Sequence, residues 1–163
     1  MSTPTPYRSL STERRIALVT HAVKSSREGR ALWLQRLAAR SGFRVVTLQT
    51  WSPDRIAKEI VRTNAETASG ELDLLHLLYV EVEPAIQITF LDVAGVPHQN
   101  GAMDDGLEVP YADAAAVRRA APVVKSQHGE DGMRYLRTLA RYSPDGWPGI
   151  AEVTAELEDS SVS

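Results

Sequence analysis

Cysteine is absent from the 163 residues, which removes a disulfide frame, a thiol nucleophile and any cysteine-held zinc or iron-sulfur site. Aromatic residues make up only 6%, and there is no interleaving of basic and aromatic side chains of the kind that lays single-stranded nucleic acid along a groove. Residues 1–15, MSTPTPYRSLSTERR, lack an apolar core of signal-peptide length, and no retention or lipidation motif follows. A soluble cytoplasmic protein is therefore expected. No phosphate-binding glycine loop, paired metal-ligand spacing or nucleophile motif stands out either, so no cofactor is expected.

What the chain does have is a long apolar run, residues 72–96, LDLLHLLYVEVEPAIQITFLDVAGV. Its polar residues Asp73, His76, Glu83 and Gln87 share one helical stripe, with Leu74, Leu75, Leu78, Val82, Ile86 and Phe90 away from it. Pro84 has no amide to donate and disfavours helical angles at Glu83. The run therefore reads as a helix kinked at the proline. The alternative is a strand ending at Glu83, with Pro84 opening a helix at its favoured first position. It is not a membrane span, because His76, Glu81, Glu83, Gln87 and Asp92 would all lie in hydrocarbon.

The length suits one core, and the 43% hydrophobic content is enough to fill it. Residues 1–10, with Pro4 and Pro6 among Ser and Thr, read as a disordered tail, 11–150 as a single globular domain and 151–163 as an acidic disordered tail. Within the domain, Ser11 caps a helix over 12–24. Residues 27–40 form a second, with Ala31, Trp33, Leu34, Leu37 and Ala38 on one side and Gly42 at its end. FRVVTLQTW, 43–51, is the most strand-like stretch. Ser52-Pro53-Asp54 starts another helix with Ile56, Ala57, Ile60 and Val61 inward. Residues 97–111 form a loop. A helix from Asp113 stops at Gly129, another runs over 130–142, and a Pro-Gly-rich turn at 143–150 lays Trp147 on the core. The expected fold is mainly α, a single-domain bundle of five or six helices around a central kinked helix. The alternative is a small α/β fold with parallel strands at 16–20, 43–49 and 74–82.

Residues 15–46, RIALVTHAVKSSREGRALWLQRLAARSGFRVV, resemble the opening strand-turn-helix-strand of short-chain dehydrogenases: an apolar stretch ending in Thr20, a small-residue turn and an Ala-Leu helix. That resemblance covers about a fifth of the chain and implies a nucleotide fold. It does not extend to the chemistry, since the turn holds one glycine, Gly29, where the family has three, and no Tyr-x-x-x-Lys pair occurs.

Charge is distributed unevenly. Residues 1–70 carry 12 Lys and Arg against 5 Asp and Glu, a balance of +7, and residues 71–163 carry 6 against 16, a balance of -10, which together make the net -3. Mutual neutralisation of the two halves explains this more simply than nucleic-acid binding. Arg36, Arg40 and Arg44, spaced every four residues, would be the phosphate contacts if nucleic acid were the partner. Of the four histidines, His76 with Glu83, joined by His98, Asp104 and Asp105 from the loop, makes the best candidate constellation for a metal or an acid-base pair. With no motif behind any of these, the expected function is non-enzymatic: a bacterial protein acting through contacts with another protein or with itself, as an oligomer or accessory subunit.

Overall fold

The computed structural model describes residues 2–162. Helix accounts for 68% of the chain, and among the described residues the only strands are β1 (His98–Gln99) and β2 (Ala102–Met103), paired antiparallel. The architecture is mainly α. Each strand of the α/β alternative fails, because residues 16–20 lie in a helix, 43–49 contain a helical turn and 74–82 continue a helix. The likeness to a dehydrogenase opening goes with them. Eight α-helices are present among the described residues, more than the five or six expected. The chain divides into two compact units, Met1–Leu78 and Tyr79–Ser163.

The first unit holds α1 (Thr12–Ser25), α2 (Arg27–Ser41), α3 (Val45–Leu48), α4 (Pro53–Thr63) and α5 (Thr67–Leu77). Local chemistry explains most of the boundaries. The Ser11, Ser26 and Ser52 side chains each accept a first-turn amide, from Arg14, Gly29 and Arg55, and Gly42 and Asn64 end α2 and α4 in the left-handed conformation. Leu18, Val19, Trp33, Leu34, Leu37, Ile56, Ile60, Leu74 and Leu75 make the core, with α1 packed on α4 and on α2. Ala31, expected on the inner stripe of α2, is exposed. The stretch 43–51, expected as a strand or an extended linker, instead holds the single turn α3, with only Leu48 of that turn buried and no neighbouring strand among the described residues for its Val-Thr pattern to pair with.

The expected N-terminal tail is also structured. Pro6, Tyr7 and Leu10 are buried, and Ser9 N–H donates to the Thr5 carbonyl at 3.0 Å. A few apolar side chains placed against a preformed surface suffice where composition alone predicts disorder.

A π-helical turn (Leu78–Val82) runs from the last residue of the first unit into the second, which also contains α6 (Pro84–Ala94), the β1–β2 hairpin, α7 (Ala114–Tyr142) and α8 (Ile150–Asp159). The central run is thus not one kinked helix. It breaks at Glu83 (φ -130°, ψ 63°), and Pro84 opens α6 at a position where its missing amide costs nothing. α7 is interrupted at Gly129 (φ 59°, ψ -133°), where the sequence placed the end of one helix and the start of the next. The two segments fold back so closely that a Cβ on Gly132 would stand 2.5 Å from the Val124 carbonyl oxygen.

Phe90 meets Tyr135 and Trp147 edge-on at 5.7 and 5.0 Å, and Trp147 is buried as expected. Residues 151–159, expected to fray, form most of α8. Its Ile150 and Val153 are buried, while α7 supplies Arg118 to Glu156, Lys125 to the Leu157 carbonyl and Arg137 to Glu158. The acidic character that reads as solvated is matched by a basic neighbour. No single helix among the described residues is long and apolar enough to cross a membrane.

Candidate functional site

His76 is exposed on α5, Asp104 and Asp105 are exposed after the hairpin, and Glu83 stands at the break in helix just before Pro84. Among the described residues no three His, Asp or Glu come together in a way that would hold a metal ion. His98 is hydrogen-bonded at both ring nitrogens. Its Nδ1 accepts the Gly101 amide at 3.0 Å, so Nε2 carries the hydrogen and donates to Asp92 Oδ1 at 2.7 Å. With Gln87 donating to the Gly101 carbonyl, the group acts as a staple for the hairpin. His128 is similarly engaged, Nε2 to Thr89 Oγ1 at 2.9 Å, just ahead of the break at Gly129.

The arginine cluster is dispersed into tertiary links. Arg36 reaches Asp73 at 3.3 Å and stacks on Trp33 at 4.5 Å, and Arg40 Nε donates to the Thr63 carbonyl at 2.9 Å. Arg44, exposed, precedes α3. Two of the three basic groups thus hold α2 to α4 and α5 instead of presenting charge to phosphate.

Two other features of the first unit carry more information. One is the segment 43–51. Phe43 is 46% exposed and Val46 74%. Phe43 stands edge-on to Trp51 at 5.4 Å, and the Arg55 guanidinium lies over the Trp51 ring at 3.8 Å. Arg30 fixes the end of the segment by donating to the Gln49 and Trp51 carbonyls at 3.2 and 3.0 Å. The result is a preordered surface of aromatic, aliphatic and guanidinium groups.

The other feature is a buried polar cluster under the N-terminal segment. Glu66, between α4 and α5, is 0% exposed, and neither carboxylate oxygen has a hydrogen-bond partner; the Tyr7 hydroxyl and Arg15 Nε are buried and unpartnered too. Arg8 lies 3.5 Å from Glu66, binds Glu71 through Nε and donates to Asn64 Oδ1 at 2.6 Å. Burial first, and then the Glu66 charge, push the Tyr7 phenol well above the ordinary tyrosine range. The next residue, Thr67, holds φ at 63°, a left-handed conformation that costs a β-branched residue about 1–3 kcal/mol.

Comparison with protein families, with curated proteins and with solved structures gives no match to the chain. Sequence reasoning missed both features. For the first, aromatic residues at both ends of the apolar 43–51 stretch were the available sign. For the second it was a tyrosine-arginine pair inside an otherwise tail-like segment. Nothing in NAETASG marks Glu66 as buried, because only the fold brings residues 5–8 over it.

Proposed function

We propose that this chain acts through protein contacts, as an oligomer or accessory subunit, and that residues 43–55 supply the contact surface. The observation that carries the reading is the pairing of exposed Phe43 with the Arg55-stacked Trp51, with exposed Val46 on the same segment. Aromatic and arginine side chains dominate binding energy at protein interfaces, and a surface already fixed by Arg30 loses little conformational freedom on docking. That His98 is bonded at both ring nitrogens within the chain, and Arg36 and Arg40 within the first unit, supports a contact role over an acid-base or nucleic-acid role.

Sedimentation velocity of the full chain over a range of concentrations tests this. Concentration-dependent assembly is expected, lost on Val46→Glu and on Phe43→Ser. The denaturation midpoint should hardly move, because both side chains are exposed in the single chain. A chain that remains monomeric at all concentrations overturns self-assembly, and a crosslinked partner seated away from 43–55 overturns the choice of surface.

A further inference from the structure

Charge is segregated along this chain. No Asp or Glu occurs between Glu28 and Asp54, a stretch that holds Arg30, Arg36, Arg40 and Arg44, and no Lys or Arg occurs between Arg62 and Arg118. Most of the 43–55 surface falls in the first stretch, and its guanidinium groups Arg44 and Arg55 are both exposed. The 104–110 loop falls in the second. It carries Asp104, Asp105 and Glu108, all exposed, beside Val109, which is 56% exposed. Among the described residues none of these five charged side chains takes part in an ion pair. Leu72 and Val82 are also exposed next to acidic residues, but there the acids are already engaged: Asp73 is held by Arg36, and Glu81 and Glu83 each interact within the chain. The 43–55 surface and the 104–110 loop are therefore complementary, since each pairs exposed apolar area with charge that the other would neutralise.

We propose that the 43–55 surface of one copy of this chain docks on the 104–110 loop of a second copy, with Phe43 and Val46 against Val109 and with Arg44 and Arg55 meeting Asp104, Asp105 and Glu108. The proposal rests on the reading of 43–55 as the contact surface and adds its partner. Every copy carries both halves of the contact, and the two halves are different patches. Both are also fixed before docking. Arg30 holds the end of the first, while the Asp104 amide donates to the Pro97 carbonyl at 3.4 Å and the Tyr111 amide to the Gly146 carbonyl at 3.0 Å, which anchors the loop at each end. Segments anchored in this way lose little conformational freedom on association.

Two different patches can be blocked one at a time, and sedimentation velocity of the full chain reads the result. Val46→Glu blocks the surface, and Asp105→Arg with Glu108→Arg blocks the loop. Each variant by itself should assemble about tenfold more weakly than the unaltered chain, or less, because like charges are then opposed across the contact. Mixed together, the two variants should form a complex of two chains, since the intact loop of one meets the intact surface of the other. Salt should weaken assembly of the unaltered chain, because the pairing charges are exposed before docking. A loop variant that assembles as the unaltered chain does, while Val46→Glu does not, overturns the loop as partner and leaves the 43–55 surface standing. Blocked variants that stay separate when mixed overturn the proposal as well, and an unaltered chain that stays monomeric overturns it together with self-assembly. Should the loop variant lose its helical circular dichroism, salt decides: assembly of the unaltered chain that is indifferent to salt overturns the proposal.

Discussion

Tyr7 separates two kinds of stabilisation in one side chain. Its ring is fully buried, while its hydroxyl is buried with no hydrogen-bond partner. Truncation to alanine would remove both, and the lost packing would dominate, but Tyr7→Phe isolates the hydroxyl. A buried donor that makes no bond costs its desolvation without recompense, so Tyr7→Phe should leave stability unchanged or raise it by up to about 1 kcal/mol. Urea denaturation measures this directly. A loss larger than about 1 kcal/mol would show instead that the hydroxyl donates to Glu66.

Two elements depend on single backbone positions. The two segments of α7 approach across Gly129, and Gly132→Ala would set a methyl 2.5 Å from a backbone carbonyl, which cannot rotate away as a side chain can. Overpacking of this kind costs about 1–3 kcal/mol, and a lowered thermal midpoint with unchanged helical circular dichroism is expected. Pro84 is the opposite case. It stands at the first position of α6, so Pro84→Ala restores no interior hydrogen bond and should change stability by less than about 1 kcal/mol, chiefly through the freedom gained by the unfolded chain. A gain of several kcal/mol in chemical denaturation would mean that a continuous helix is the lower-energy state and that proline alone breaks it.

For the whole molecule, alkaline pH acts on both units. Tyr7 in the first unit and Tyr135 in the second are pushed well above the ordinary tyrosine value, Tyr7 by burial and the neighbouring Glu66, Tyr135 by burial and the neighbouring Tyr79. Burial also pushes Tyr79 up, to about 12. The unfolded chain loses these protons near pH ~10 while the folded chain keeps them. Folding therefore retains protons above that pH, and the contribution of these phenols to stability is complete below about pH 10 and is lost as pH rises beyond it. For Tyr79 the window runs from about 10 to about 12. Denaturation midpoints should fall steadily with pH above about 10, with phenolate absorbance of the buried rings appearing together with loss of helix. Full ionisation in a chain that is still folded would refute the burial argument.

The sequence by itself determined what short-range chemistry controls. Ser11, Ser52 and Asp113 accept the amides that start α1, α4 and α7, Gly42 ends α2, Gly129 interrupts α7, and the inward face of α4 follows the 3.6-residue period. These signals lie within a few residues of their effect. Tertiary structure decided the rest, because the deciding partner is distant in the chain. The tail-like segment at 5–10 orders on Glu66 and Glu71, the acidic C-terminal run becomes α8 against Arg118, Lys125 and Arg137, and the β-prone 43–51 stretch has no strand to pair with and closes into the turn α3. The candidate site followed the same division. His76, Glu83 and His98 share a helical stripe or a loop in sequence, but the break at Glu83 and the bonding of both His98 nitrogens are properties of the folded chain, as is the burial of Glu66 beneath a segment about sixty residues away in the chain.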